Sequence, residues 1–198
     1  MLTVFMKHAK NFVSKDLSRP IFNSIMFDGE YAIATNTHIC VAVPFKSEKR
    51  IINYKTGIDI EGEIPDYKSC IPTKIEYTAR INKIDLPTFI KPLKIIKAMY
   101  QTWQHDVIEF TAHGITAHPK IDYDGVYTAC FDNIEGQFSA GMSLSSKYLL
   151  DILSFFNDLE DAAVQKVVLE FAGNNKPLKI SAKCGAFALI TPLRKIKE

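Results

Sequence analysis

A pattern of one β-prone run, one helix with a single apolar face and three further β-prone runs returns three times along this chain. In the first copy, residues 2–6 read as a strand and 7–15 as a short helix, with residues 21–27, 30–34 and 38–45 as the strands that follow. Asp28-Gly29 separates the first two of these as a hairpin turn. In the second copy, residues 75–86 are the strand and Pro87 opens a helix to about residue 101, because proline suits a first helical turn. Phe89, Leu93, Ile96 and Tyr100 share one face of that helix, and Lys91, Lys94 and Lys97 share another. Its strands are residues 107–111, 114–121 and 126–131. The third copy begins at Met142, with Ser145 and Ser146 as N-cap candidates for a helix through Phe156 whose stripe is Leu149, Ile152, Leu153 and Phe156. Residues 167–171, 178–182 and 187–193 complete it.

No such unit buries its apolar surface alone, so the units must pair, helices against antiparallel sheet, in an α+β arrangement of repeated β-α-β-β-β units. Two units make one domain. Three leave the first either unpaired or paired with a reduced partner at residues 46–60, where 51–60 is the candidate for an added edge strand.

Residues 61–72, EGEIPDYKSCIP, separate the first unit from the other two. Pro65 and Pro72 fix their own φ angles and push Ile64 and Ile71 into extended backbone, while Gly62 supplies a turn. Such a stretch is a stiff hinge between domains or an ordinary surface loop, and both readings are open at this level.

The net charge of +2 means that any contact with nucleic acid must come from where lysines lie rather than from their excess. Cys40, Cys70, Cys130 and Cys184 stand singly among apolar neighbours and read as small buried hydrophobes in a reducing cytoplasm. Lys7, His8 and Lys10 interrupt the apolar N-terminus before a signal-peptide core forms, and no uncharged run approaches the roughly 20 residues needed to cross a bilayer. The expectation is a cytoplasmic protein without a membrane partner.

Catalytic signatures are missing. There is no P-loop, G-x-S-x-G, H-E-x-x-H or Gly-rich nucleotide fingerprint, and Lys55-Thr56-Gly57 lacks the Ser-x-x-Lys that accompanies it in β-lactamases. His113 and His118 with Cys130 or Cys184 match no standard zinc spacing. His38 has no identifiable nucleophile or acidic orienter near it in sequence. Neither an enzyme nor a metal or cofactor is expected.

Four stretches resemble the bacterial β sliding clamps, ring-shaped processivity factors of replicative DNA polymerases. IFNSIMFDGEYAIATNTHICVAV (residues 21–43) is similar to the middle-domain hairpin leading into an Ala-Thr-Asp-Gly-His-Arg-Leu motif. IPDYKSCIP (64–72) resembles the Phe-Pro-Asp-Tyr-Arg-Arg-Val-Leu-Pro connector, SSKYLLDIL (145–153) the helix of the last half-domain, and ALITPLR (188–194) the Met-Pro-Met-Arg ending. Their order and spacing agree with the family over nearly the whole chain. The resemblance implies a shortened clamp, of a kind that fits a phage or mobile element. Residues 1–72 would be part of the middle domain, with a hinge at 61–72, and residues 73–198 a complete last domain.

The resemblance also implies helices facing duplex DNA, with affinity carried by phosphates rather than bases. Lys91, Lys94 and Lys97 suit that role, with Lys7, Lys10 and Lys147 as weaker candidates, although a solvated helix face has the same appearance. Asp151 and Asp158 leave the third helix little positive charge. A second implied site is an apolar pocket for peptides of the polymerase and the clamp loader. Carried over position by position, it comprises Phe22, Thr35, Thr37, His38, Ile39 and Cys40, then Pro65 and Cys70. Leu189, Thr191, Pro192, Leu193 and Arg194 complete it. Asn36-Thr37 in place of an acidic-Gly pair, Ile39 in place of arginine and Thr191 in place of methionine point to a shifted peptide preference. The implied function is a homo-oligomeric ring that tethers a polymerase to double-stranded DNA. The alternative is a clamp-derived adaptor or decoy that binds peptides without closing a ring.

Overall fold

A computed structural model describes residues 1–103, 106–118, 125–160 and 162–193. The chain opens with helix α1 (Leu2–Phe12), not with the expected strand. Phe5, His8, Ala9 and Phe12 are its buried residues, spaced three, four and seven apart. A strand over residues 2–6 followed by a separate helix would divide that face; one helix keeps it whole. The first unit therefore lacks a leading strand. β1 (Ser24–Phe27), β2 (Tyr31–Thr35), β3 (Ile39–Pro44) and β4 (Arg50–Asn53) follow, with Ile52 bridging to Asp59 where the edge strand was expected.

The second unit contributes β5 (Tyr77–Asn82), α2 (Leu86–Trp103), β6 (Val107–Thr111), β7 (Gly114–Ala117) and β8 (Tyr127–Cys130). Pro92 sits inside α2, and Phe89, Ile90, Leu93 and Ile96 are buried along it. The side chain of Tyr100, the end of the strand expected through residue 121 and Asp124 lie outside the described residues. Two short strands that the periodicity did not reveal come next, β9 (Ile134–Gly136) and β10 (Ser143–Ser145). Helix α3 (Ser146–Asp158) is capped by Ser145, whose Oγ accepts from the Tyr148 N–H, and β11 (Lys166–Phe171), β12 (Leu178–Ala182) and β13 (Phe187–Ile190) complete the chain.

Pairing is antiparallel throughout. One sheet has four strands in the order β10-β6-β7-β8, and the other has nine in the order β4-β1-β2-β3-β13-β12-β11-β5-β9. β5 leaves its own unit to pair with β11, and β10 leaves its own to pair with β6. The last two units are thus interlocked by exchanged first strands. The first unit is not paired in that way. Its β3 lies beside β13, with Ile39 opposite Ile190 and Ala42 opposite Phe187, so its sheet continues that of the third unit.

A shared core fills the space between helices and sheets. Phe89, Phe110, Phe131, Phe138 and Phe171 meet at its centre, with Phe89 and Phe131 stacked at 4.0 Å, and Phe5, Phe12 and Phe155 join α1 to α3. A second, smaller cluster lies on the outer face of the nine-stranded sheet, where Tyr67 of the connector packs with Cys40, Phe187 and Leu189. Only Cys40 of the four cysteines is buried; Cys70 and Cys130 are exposed and Cys184 is intermediate, because they sit on a loop, an edge strand and a turn rather than in the core. No helix among the described residues is long and apolar enough to cross a membrane.

Candidate functional site

Two surfaces collect the residues that the sequence singled out. The first is a layer of three helices, α1 and α2 both packing on α3. Their sequences carry six lysines against two aspartates, a net charge of +4, whereas the whole chain carries +2, so everything outside the helices is net negative. Lys7, Lys10, Lys91, Lys94, Lys97 and Lys147 are all exposed. The two aspartates of α3 are held by neighbours. Asp158 Oδ2 accepts from Lys7 Nζ at 2.9 Å and lies 2.9 Å from His8 Nε2, contacts that hold its carboxyl below its ordinary range. Asp151 is buried with Lys147 Nζ at 3.8 Å, and burial pushes its carboxyl up against the pull of Lys147, Lys97 and His8. Among the described residues, no acidic side chain forms an ion pair with Lys10, Lys91, Lys94 or Lys97.

The second surface is the seam between β3 and β13. The turn that enters β3 is fixed locally: Thr35 Oγ1 donates to the Ile39 carbonyl at 2.6 Å, and Asn36 Oδ1 accepts from the N–H groups of His38 and Ile39. Thr37 completes the turn at φ +78°, a region that a β-branched residue rarely occupies, so this corner is strained. Strand alternation then sends Ile39 into the helix-side core and Cys40 to the outer face, where burial and the nearby Cys70 push its thiol up to about 12. Past β13, the Thr191 N–H donates to the His38 carbonyl at 2.9 Å and the Leu193 N–H to the Ser143 carbonyl at 2.8 Å. The end of the described chain therefore ties β3 to β10.

The proposed pocket residues do not form a single hollow. Phe22, Thr37 and His38 line a cavity of about 520 Å³, whose other walls include Lys10 and Lys147. Pro65 lines a separate depression beside the connector. Thr35, Ile39, Cys40 and Leu189 are buried, while Cys70, Thr191, Pro192 and Leu193 are at or near the surface. Arg194 lies outside the described residues. Among the described residues, no three His, Cys, Asp or Glu side chains gather in a way that would hold a metal ion.

No protein-family model and no curated protein sequence matches the chain. Solved structures do. The DNA polymerase sliding clamp of Bacillus subtilis superposes with a TM-score of 0.79 at 19% identity, over 98% of this chain and 62% of that one. The DNA polymerase III β subunit of Pseudomonas aeruginosa gives 0.76 at 11% identity, and that of Thermotoga maritima 0.74 at 12%, each over 98% of this chain and 64% of theirs.

The fold is that of a sliding clamp. This chain spans less than two thirds of the length of those clamps.

Within this clamp fold, the seam holds residues that sequence reading passed over. Lys15 and Arg19, from the segment between α1 and β1, line the same cavity as Lys10 and Lys147, and Tyr148 stacks on His38 with ring centroids 6.1 Å apart and planes 16° apart. The signal for the first two was present as a cluster of charge before Pro20, in Lys15-Asp16-Leu17-Ser18-Arg19. Nothing local marks Tyr148, which reaches His38 only because β13 carries the third unit against the first.

Proposed function

We propose that this protein is a non-enzymatic sliding clamp that encircles duplex DNA and tethers a DNA polymerase. Residues 1–72 serve as a shortened domain and residues 73–198 as a complete one. The observation that carries the reading is the concentration of positive charge on the helix layer of a protein that is otherwise net negative. Flexible exposed lysines offer phosphates a contact that does not depend on base sequence, as sliding requires. Lys91, Lys94 and Lys97 on α2 are the principal contacts, and Lys7, Lys10 and Lys147 add to them. Polymerase and loader peptides dock beside the β3–β13 seam, around Phe22, His38 and the segment from Thr191.

Ring closure needs a surface between copies. Among the described residues β8 pairs only with β7, so its outer edge has free backbone groups that a second copy satisfies by continuing the sheet. At the far end, β4 already binds its own chain: the Asn53 N–H donates to the Ile58 carbonyl and the Ile60 N–H to the Ile51 carbonyl. That covered edge favours a second reading, a clamp-derived adaptor that binds peptides without a ring.

The test replaces Lys91, Lys94 and Lys97 together with Glu and measures polymerase stimulation on primed circular DNA. Loss of stimulation, with a shallower salt dependence of DNA binding, is expected of the clamp. Unchanged stimulation removes the DNA-facing assignment. Light scattering over a wide concentration range separates a discrete oligomer, as a ring requires, from the monomer of the adaptor.

A further inference from the structure

The cavity at the seam differs in chemistry from the apolar groove that the sequence led us to expect. Four cationic side chains reach it from three separate parts of the chain: Lys10 on α1, Lys15 and Arg19 on the segment after it, and Lys147 on the first turn of α3. The one acid in its wall, Asp16, accepts from the Ser18 N–H at 3.0 Å and the Ser18 Oγ at 2.7 Å, which keep it ionised, and Lys147 also pairs with Asp151 at 3.8 Å; four cations against one acid still leave the wall net positive. The positive end of α3's backbone dipole adds to the same field. Phe22, Val13 and the stacked His38 and Tyr148 rings supply an apolar wall beside the charges.

We propose that this cavity binds an acidic peptide segment, its carboxylates on Lys10, Lys15, Arg19 and Lys147 and a neighbouring apolar side chain against Phe22 and Tyr148. The proposal rests on the reading that peptides dock at this seam, and it names their class. A volume of about 520 Å³ admits a few side chains and excludes a duplex about 20 Å across. Lys15 and Arg19 lie off the helix layer that carries Lys91 and Lys94, whereas Lys10 and Lys147 belong both to that layer and to the cavity wall. Charge of one sign around a cleft concentrates ligands of the other and selects them over neutral peptides.

The test titrates the isotope-labelled full chain with hexaglutamate and follows backbone amide shifts. The expected result is saturable shifts at Lys15, Arg19, Thr37, His38 and Lys147, weakening about tenfold between about 50 mM and about 300 mM salt. Replacing Lys15 and Arg19, both exposed, with Glu should abolish the shifts, whereas the distant exposed Lys183→Glu should leave them. Equal shifts with hexaglutamine, or equal weakening by Lys183→Glu, would overturn the proposal. Tighter binding of hexathymidylate at the same amides would make the cavity a site for single-stranded nucleic acid and overturn it too. If hexaglutamate is silent while a polymerase-derived peptide still shifts the seam, the acidic class falls and peptide docking stands; silence of both removes both.

Discussion

Leu189 on β13 stands directly opposite Cys40 on β3, both nearly closed to solvent on the outer face of the nine-stranded sheet. The pair belongs to units separated by most of the chain, and through it the odd first unit acquires a sheet neighbour and a covered face. Tyr67, Ile64 and Ile71 of the connector lie over the same patch. Stretch 61–72 therefore does more than span a gap: its apolar residues close the second core.

Truncating Leu189 tests how far that seam holds the first unit. Leu189→Ala should cost about 2–4 kcal/mol in denaturant unfolding, the usual loss for a buried leucine. Because the damage lies at the seam, amide exchange should quicken in β1, β2 and β3 more than in β6 and β7. Uniform acceleration across both sheets would mean that the seam has no separate weakness.

Tyr67 donates from Oη to Asp28 Oδ2 at 2.7 Å, and that carboxylate also accepts from the N–H groups of Glu30 and Tyr31 and pairs with Lys68. Burial works to raise the Asp28 pKa, but these donors hold it down at about 2, below an ordinary value of 3.8. A folded value below the unfolded one stabilises the protein above about pH 4 and is lost as pH falls toward 2, an effect of about 2 kcal/mol. Tyr67→Phe should lower stability at neutral pH by about 1–2 kcal/mol and shrink the acid-side fall in melting temperature. An acid limb identical to wild type would exclude Asp28 as its source.

Sequence patterning located the helices after residue 86 and most strands well, because Leu149, Ile152, Leu153 and Phe156, or Phe89, Leu93 and Ile96, repeat at helical spacing and do lie buried. It failed at residues 2–6, where a short apolar run fits either period and only Ala9 and Phe12 decide between them. β9 and β10, three residues each, are too short to show alternation. At the candidate site, Phe22, Thr37 and His38 were legible through a motif, but their meeting with Lys10, Lys15 and Arg19 depends on how α1 packs on β2 and β3 within the first unit, and their meeting with Tyr148 on the β3–β13 pairing between distant segments. Likewise, the i,i+4 spacing of Lys147 and Asp151 shows their pairing, but the partners of Asp158, Lys7 and His8, come from α1, and no spacing within α3 announces them.

Gly114 faces β8 so closely that an added Cβ would lie 2.2 Å from the Ala129 carbonyl oxygen. That atom is backbone and cannot move aside without opening the β7–β8 ladder. Gly114→Ala should therefore loosen β8, seen as faster exchange at Ile115 and Ala129. If copies meet through β8, it should also shift the light-scattering mass toward monomer. Loosened β8 with an unchanged oligomer would place the contact between copies elsewhere.

Asp151 puts a negative charge where the helix layer is otherwise positive, and its Oδ2 has no hydrogen-bond partner among the described residues. Burial raises its pKa above the ordinary carboxylate value, opposed by Lys147, Lys97 and His8. A raised acid is penalised in the fold while ionised, so this group disfavours folding at neutral pH, and the penalty disappears as pH falls below its ordinary value. Asp151→Asn keeps the shape and removes the charge. Melting temperature at pH 7 should rise, and the gain should vanish in acid. The change also frees Lys147 from its 3.8 Å partner. If the helix layer faces DNA, the slope of log affinity against log salt should then steepen by about one. A higher melting temperature with an unaltered slope would keep the electrostatic account of Asp151 and turn α3 away from the phosphates.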